Sequence, residues 1–540
     1  MKKVNQYKLL MVFSIMPLLV SCDYEEINTN PYEVTDEMAN RDGIAVGGSI
    51  TGLARQVFPV GTVANSTDIY NEYQTAFNLS ADLWSGYFSQ NKTWDGGNDH
   101  SSYYLKDDWI ASTYTTTYTK AFAPWRKVKL NAEKTGATET FALAQILKIS
   151  CWHKTLETFG PIPYKHAGEA ALVIPFDSEE EVYDAIFVDL QNAINELTPL
   201  AEAGGKIAED FDPVYAGDVN KWVKYANSLM LRLAIRLKYC APDKAKQWAK
   251  VALEHSVGVM TAKEDEAQIS VGAGYTFENN INYLAANYGD CRMGTSLYAY
   301  LNGYKDPRLS KYYTTSTKDK YVLTAFDGQK YSPVPLGHTK EAGTYTDYSL
   351  PNFTNRTPTY WMRASEIYFL KAEAALEWPG EGFGEAETLY KQGIQMSFEE
   401  NGLTADVEDY IRLAEVPVSV SISSSAGNTY TAPAPTTATP KFTGEKEEKL
   451  EKIMIQKWIA LFPNGQEAWT EWRRTGYPVL NPVQVNNGHG ISTTKGIRRM
   501  VYPRSFSQSS EDRANYQDAV SKLGEGGDQA TTDLWWARSK

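Results

Sequence analysis

Segments with helical periodicity follow one another in pairs along this chain. Apolar residues recur at mostly helical spacing over 140–158, and Gly160-Pro161 ends that segment. Ser178 and Glu181 form a capping-box pattern before a second segment, which Pro199 and Gly204-Gly205 end. Further helices are predicted at 222–239, 242–255, 363–378 and 384–398. The fold is therefore predicted to be all-α dominated, with helical hairpins joined by long irregular loops.

Small residues at regular spacing indicate how these helices pack. The matching sets are Ala386, Tyr390 and Gly393; Ala245, Ala249 and Ala252; and, more loosely, Ile186, Leu190 and Ala193. Spacing by four and then three positions is typical of tetratricopeptide repeats, in which paired helices approach closely. Other helical hairpins also place small residues at crossings, so spacing alone leaves both packings open.

The N-terminus has the pattern of an exported lipoprotein. Lys2, Lys3 and Lys8 precede the apolar run 9–20, and Leu19-Val20-Ser21-Cys22 resembles a bacterial lipobox. A transmembrane helix is the alternative, but a span needs about 20 apolar residues. We expect a cleaved signal peptide at 1–21, lipidation of Cys22 and a polar tether at 22–40.

Charge and cysteine content argue against nucleic-acid binding, a disulfide framework and a zinc site. The formal net charge is −13 and the sequence shows no basic patch, so we expect no nucleic-acid partner. Besides Cys22, the chain has Cys151, Cys240 and Cys291, without metal-ligand spacing. These three cysteines are predicted to be buried free thiols, with no disulfide framework and no zinc site.

Common catalytic motifs are missing from the sequence. Neither a zinc-protease His-Glu-x-x-His, a Gly-x-Ser-x-Gly nor a phosphate-binding glycine loop is present. The histidines are scattered: His100, His153, His166, His255, His338 and His489. A glycosidase stays open as an alternative, because such an enzyme needs only two carboxylates across a cleft.

Long segments rich in Gly, Asn, Asp, Ser, Thr and Pro interrupt the helices. They cover 65–109, 258–282, 314–357 and 416–443. Segments of this length usually bind a ligand or are disordered. The composition of 416–443 predicts a flexible surface excursion.

Aromatic residues are concentrated between Trp84 and Trp125. Rings and short polar side chains alternate there, which is how proteins build a carbohydrate platform: a flat ring covers the sugar face and polar groups bind its hydroxyls. The candidate ligand-binding residues are Trp94, Asp95, Asn98, Tyr103, Tyr104 and Trp109. Ordinary packing is the alternative for aromatic residues, and it is the prediction for Trp84, Tyr87 and Phe88. A calcium loop is also conceivable, but 95–99 lacks the alternating acidic pattern.

A second candidate segment, 275–292, has the same mixture of rings and amides. Tyr283 is its candidate ligand-binding residue, beside Asn279, Asn280 and Asn282. Packing is again the alternative, because aromatic-rich segments often serve the core.

The C-terminal half contains a run that resembles a known signature. Residues 455–469 (IQKWIALFPNGQEAW) and 471–478 (EWRRTGYP) closely resemble that of the SusD/RagB family of nutrient-binding outer-membrane lipoproteins. Further similar pieces are the lipobox, 28–31 (NTNP), 306–309 (DPRL), 364–374 (ASEIYFLKAEA) and 533–536 (DLWW). The signature helix carries apolar residues on one face, so we interpret it as scaffold.

This resemblance implies a helical, tetratricopeptide-like body over 41–540 that acts as a lid on a SusC-like TonB-dependent transporter. It also implies oligosaccharide cargo, or peptide cargo as an alternative, without catalytic residues, cofactor or metal. The family's ligand contacts lie outside its signature, so the candidate residues above depend on their own pattern. Asp23, Glu25 and Glu26 follow Cys22 and resemble an export signal for display on the cell surface.

Overall fold

Helices make up most of the chain that the computed structural model describes, which is residues 44–64, 67–169, 171, 173–316, 322–338, 347–423 and 429–537. Cys22 and the 22–40 tether lie outside these residues. The helices are α1 (Ile44–Val57), α2 (Thr67–Tyr73), α3 (Asp107–Tyr114), α4 (Lys120–Thr135), α5 (Thr138–Phe159), α6 (Glu179–Glu202), α7 (Val219–Arg236), α8 (Pro242–Leu253), α9 (Asn280–Tyr283), α10 (Thr295–Gly303), α11 (Leu309–Tyr312), α12 (Ala364–Glu377), α13 (Ala386–Glu400), α14 (Val407–Arg412), α15 (Lys446–Leu461), α16 (Gly465–Thr475) and α17 (Ser510–Ser521). The π-helical segments Gln74–Asp82, Thr115–Thr119 and Leu284–Tyr288 continue α2, α3 and α9. None of the described helices is long and apolar enough to cross a membrane.

The strands are short, and each sheet within the described ranges has two strands. They are β1 (Phe88–Ser89), β2 (Ala267–Ile269), β3 (Val271–Gly272), β4 (Tyr275–Thr276), β5 (Arg292–Met293), β6 (Leu323–Thr324), β7 (Lys330–Tyr331), β8 (Thr359–Met362), β9 (Val420–Ser423) and β10 (Thr429–Ala432). All pairs are antiparallel; β1 pairs with β5 and β2 with β8, whereas β3–β4, β6–β7 and β9–β10 join strands adjacent in sequence. The β1–β5 pair connects the two aromatic segments, because Ser89 lies opposite Arg292.

The predicted helices and their packing are confirmed. Helices α5 to α8 pack consecutively, and α12 packs on α13, as tetratricopeptide-like hairpins do. Ser178 accepts a bond from the backbone N–H of Glu181 while the Glu181 carboxylate accepts from that of Ser178, so the capping box is present. Helix α6 continues through Pro199, where the sequence predicted its end, and stops at Glu202, less than one turn later.

Small residues mark the helix crossings as expected. Ala245, Ala249 and Ala252 of α8 are fully buried. A Cβ placed on Gly393 of α13 would lie 2.9 Å from the ring of Phe369 in α12. The close approach of the two helices therefore depends on glycine at this position.

The described parts of segment 416–443, residues 416–423 and 429–443, contain a regular secondary structure that the composition did not predict. Strands β9 and β10 form a hairpin in which Val420, Ile422, Tyr430 and Ala432 are buried. The side chains alternate between buried and exposed, which is the pattern of a strand with one face on the core. Composition missed this because serine and threonine occupy the solvent face of the hairpin.

Helices α15 and α16, which carry the 455–478 motif, form the scaffold behind the first aromatic segment. Trp458 Nε1 donates to the carbonyl oxygen of Ser85 at 2.8 Å, and the Trp469 ring lies 4.9 Å from that of Trp84. Trp84, Tyr87 and Phe88 are buried, which confirms the prediction that they belong to the core.

Candidate functional site

A turn at residues 94–98, named the Trp94 turn below, follows β1 at the surface. The buried Asp99 carboxylate accepts from the backbone N–H groups of Trp94 and Ser101, both at 2.8 Å. Asp95, Gly96 and Gly97 all have positive φ, at 46°, 66° and 94°. Glycine adopts this region without strain and aspartate tolerates it, so the local sequence fits the tight turn.

The indole of Trp94 is half-buried and held on several sides. Its Nε1 donates to Asp290 Oδ1 at 3.2 Å, and Trp109 meets it edge-on with ring centroids 6.4 Å apart. The ammonium of Lys92 lies 4.2 Å from the Trp94 ring centroid, a cation–π distance. The ring is thus fixed in place while part of its surface stays accessible.

Polar groups at the turn face solvent. Asp95 and Asn98 are exposed, and Asp95 pairs with Lys106. The Asn98 side-chain oxygen accepts from Asn487 Nδ2 at 3.2 Å, and the carbonyl oxygen of Gly97 accepts from the same amide at 2.9 Å. Asn487, which is distant in sequence, therefore holds the Asn98 side chain in position.

Two predicted contact residues lie behind the turn. Tyr103 is 7% and Trp109 8% exposed, so neither offers a ring face to a ligand. Tyr103 packs so closely on Gly488 that a Cβ there would lie 2.9 Å from the Tyr103 Cβ, and Trp109 packs against His100. Their role in this structure is support, whereas Tyr104 is exposed.

The second aromatic segment adjoins the first. The backbone N–H of Asn91 donates to the carbonyl oxygen of Gly289 at 2.7 Å, and Asp290 holds the Trp94 indole. Tyr283 is half-buried, with its ring near that of Tyr288 at 5.6 Å. The structure therefore brings together two candidate segments that are far apart in the sequence.

Burial shifts the pKa values of two titratable groups at the candidate site. Burial lowers the pKa of His100 to about 3, so this imidazole is neutral at physiological pH. Burial raises the pKa of Asp290 to about 6, against the opposing effect of hydrogen bonds from Gln74 and Trp94. Within the described residues, His, Cys, Asp and Glu form no group suited to a metal ion.

Asp290, Asn487 and Gln74 were not singled out as candidates. Asp290 lies within the 275–292 segment, but its partner Trp94 is 196 positions away. Asn487 lies in an Asn-Asn-Gly sequence, which indicates a turn and nothing about its contact with Asn98.

A groove of about 610 Å³ lies elsewhere, between α4, α5 and α6. The Lys148 ammonium lies there 4.3 Å from the Tyr164 ring centroid and 4.8 Å from that of Trp125. Asp189 pairs with Lys148 at 3.1 Å. In this groove Lys148 already occupies the rings of Trp125 and Tyr164 and pairs with Asp189. We therefore place the candidate site at the Trp94 turn.

Comparison with known proteins agrees with this architecture. A family model described as SusD-like, SusD and RagB outer membrane lipoprotein, matches residues 26–537. A chitin-binding SusD homologue from Flavobacterium johnsoniae is 31% identical, with 91% of this chain and 98% of that chain covered and a TM-score of 0.79.

Two further solved structures match this chain with similar sequence identity, coverage and TM-score. A SusD homologue from Bacteroides vulgatus is 32% identical over 93% of this chain and 99% of that one, with a TM-score of 0.83. One from Bacteroides uniformis is 33% identical over 92% and 99%, with a TM-score of 0.81. No curated protein matches significantly. The chain belongs to the SusD-like family of outer-membrane lipoproteins.

Proposed function

We propose that this protein captures oligosaccharides at the cell surface and passes them to a SusC-like TonB-dependent transporter, for which it acts as a lid. The supporting observation is the Trp94 turn, where a fixed and partly accessible indole belongs to the same turn as the exposed side chains of Asp95 and Asn98. Indole faces bind the apolar face of a sugar, and carboxylates and amides bind its hydroxyls.

The contact surface that we propose consists of Trp94, Asp95, Asn98, Tyr104 and Tyr283. Tyr103 and Trp109 support it from behind. The chitin-binding relative makes chito-oligosaccharides the first probes to use. The protein acts by binding: Asp95 is engaged by Lys106, and Asp290 by Trp94 and Gln74.

Calorimetric titration of a purified protein lacking residues 1–40 tests the binding site. The panel contains chito-, malto-, xylo- and manno-oligosaccharides together with a peptide library. For the best-binding sugar, Trp94→Ala should lower affinity at least tenfold, about 1.4 kcal/mol or more. Trp378→Ala is the matched control, since Trp378 is another half-buried tryptophan, packed on Phe383 away from the turn.

Unchanged affinity in Trp94→Ala would remove this residue from the site. Binding of peptides alone would replace the sugar by the alternative cargo. Shortening of the sugar during incubation would contradict a purely binding role.

Isolation of the full-length lipoprotein from outer membranes in mild detergent tests the partner. Co-purification of a TonB-dependent barrel is the expected result, and isolation of the lipoprotein alone would contradict the lid role. Protease treatment of intact cells should degrade the protein if Cys22 anchors it on the outer surface.

A further inference from the structure

The carboxylate of Asp290 is fully buried, and each of its oxygens accepts a hydrogen bond from a different part of the chain. Oδ1 accepts from the Trp94 indole at 3.2 Å, and Oδ2 accepts from the Gln74 side-chain amide. Gln74 is itself buried at the start of the π-helical segment Gln74–Asp82. Asp290 therefore connects the surface ring to the helical body.

The backbone around Asp290 is held as firmly as its side chain. The N–H groups of Gly289 and Asp290 both donate to the carbonyl oxygen of Leu284, at 2.8 and 3.2 Å. A Cβ on Gly289, whose φ is 75°, would lie 2.2 Å from the Asn91 side chain. The carboxylate thus has a fixed location from which it sets the position of the indole.

We propose that Asp290 is the positioning residue of Trp94, and that the negative charge of its carboxylate is required for full oligosaccharide affinity, so that binding weakens in mild acid. This inference rests on the proposed function, because it takes the Trp94 ring as the sugar-binding face.

Burial and the neighbouring groups together place the pKa of Asp290 at about 6, so its charge changes in mild acid. Burial raises its pKa to about 6 and the charge of Asp99 adds to this, whereas hydrogen bonds from Gln74 and Trp94 and the charge of Lys92 lower it. Cys291 and Arg292, which follow it in the chain, interact with it electrostatically, as does Tyr288 at the end of the π-helical segment Leu284–Tyr288. The π-helical segment Gln74–Asp82 contributes the neutral side-chain amide of Gln74, which donates to the Asp290 carboxylate.

Protonation weakens the hold on the indole. A hydrogen bond to an ionised acceptor is roughly twice as strong as one between neutral groups. When the carboxyl takes up a proton, its O–H also needs an acceptor, which the Gln74 amide can supply only by turning its oxygen toward Asp290. Both changes loosen the ring, and the sugar must then be bound at the cost of ordering it again.

A measurement without ligand tests the positioning directly. Selective ¹⁵N labelling of the 14 tryptophans gives one indole signal for each, and the signal that Trp94→Phe removes belongs to Trp94. We expect this signal to shift with pH with a midpoint near 6, and to lose that transition in Asp290→Asn. A Trp94 signal that does not change between pH 5 and 7.5 would overturn the proposal.

Affinity is then measured by calorimetry with chitotetraose, or with the member of the oligosaccharide panel that binds in its place. We expect wild-type affinity to fall about fivefold between pH 7.5 and pH 5, as a charged acceptor becomes neutral. Asp290→Asn should be about as weak as the acid form at both pH values, because asparagine retains a neutral acceptor.

A matched control exists within the same chain. Asp212 accepts from the indole Nε1 of Trp222 at 2.7 Å, so it makes the same contact in the buried body. Asp212→Asn should leave both the affinity and its pH dependence unchanged. An equal loss in Asp212→Asn and Asp290→Asn would mean a general effect of stability.

A double-mutant cycle separates positioning from direct contact with sugar. In a Trp94→Phe background, which has no indole N–H, Asp290→Asn should cause no further loss. An undiminished loss there would overturn the proposal. If Trp94→Ala itself has no effect, the proposed function fails, and the indole titration still decides whether Asp290 positions Trp94.

Discussion

Tyr283 lies face to face with Tyr70, with ring centroids 3.6 Å apart and ring planes 7° from parallel. Tyr70 is fully buried and bonds to Glu278, whereas Tyr283 is half-buried. Tyr70 therefore supports the ring of Tyr283 from the interior, and Tyr283 is the ring that reaches the surface. A ligand can use only the ring surface of Tyr283 that Tyr70 leaves free.

Substitution of these two residues should separate binding from stability. Tyr283→Ala should weaken sugar binding by roughly 0.5–1.5 kcal/mol, the value of one ring contact, and should lower the free energy of unfolding by a similar amount because it removes the stack on Tyr70. Tyr70→Ala should lower the free energy of unfolding by roughly 3–5 kcal/mol, because it empties a buried aromatic site. Calorimetry and urea denaturation measure the two effects. Unchanged affinity in Tyr283→Ala would place this ring outside the site.

Asn487 should influence binding without contact with the sugar. Its amide donates to the Gly97 carbonyl and to the Asn98 side chain, at 2.9 and 3.2 Å. Asn487→Ala removes both bonds, so we expect a loss of about 1 kcal/mol in affinity as the turn loosens. Asn515→Ala is the control, because Asn515 donates to the carbonyl of Ile174 elsewhere on the surface. Equal affinity in both variants would contradict a role for Asn487.

The helical body was predictable because its signals are local. The capping box at Ser178 and the apolar spacing that buries Trp84 and Tyr87 each involve neighbours a few positions apart. Membership of the family likewise follows from the contiguous run 455–478.

The support of the site was not predictable because its contacts are distant in sequence. Asp290 meets Trp94 across 196 positions, and Asn487 meets Asn98 across 389. The local patterns around Tyr103 and Trp109 resemble those around Trp94, yet only the fold decides which rings are covered. Aromatic content thus indicates a candidate segment, and tertiary packing decides which of its rings are exposed.

Lys92 should set the pH at which Asp290 titrates. Its ammonium lies over the Trp94 ring and its charge lowers the pKa of Asp290. In Lys92→Met that pKa should rise, so the midpoint of the Trp94 indole signal should move above the wild-type value near 6. Lys106→Met is the control, since Lys106 pairs with Asp95 and lies over Trp109. A midpoint that stays constant in Lys92→Met, or falls, would be inconsistent with this assignment.

Glu373 should carry a large share of the stability of the α12–α16 contact. Arg474 donates to both of its carboxylate oxygens, at 2.8 and 2.7 Å, and Lys238 pairs with it at 2.9 Å. Glu373 and Arg474 are completely buried, and neutralising Glu373 leaves Arg474 with Glu471, and Lys238 with Glu377, as the remaining carboxylate partner. Glu373→Gln should therefore lower the free energy of unfolding by roughly 2–3 kcal/mol in urea denaturation at pH 7, less than the roughly 3–5 kcal/mol of a buried pair with no other partner.

The pH dependence of unfolding provides a second check on Glu373. Burial raises its pKa, but Arg474 and Lys238 outweigh burial and hold the pKa at about 2, below the ordinary 4.5. A carboxyl with a lowered pKa stabilises the fold fully above pH 4.5 and loses that contribution as the pH falls toward 2. Wild type should thus lose more stability than Glu373→Gln between pH 5 and pH 3. The exposed pair of Arg412 and Asp409 is the control, since Asp409→Asn should change stability by no more than about 0.5 kcal/mol. Equal stabilities for Glu373→Gln and Asp409→Asn would show that the buried pair contributes nothing.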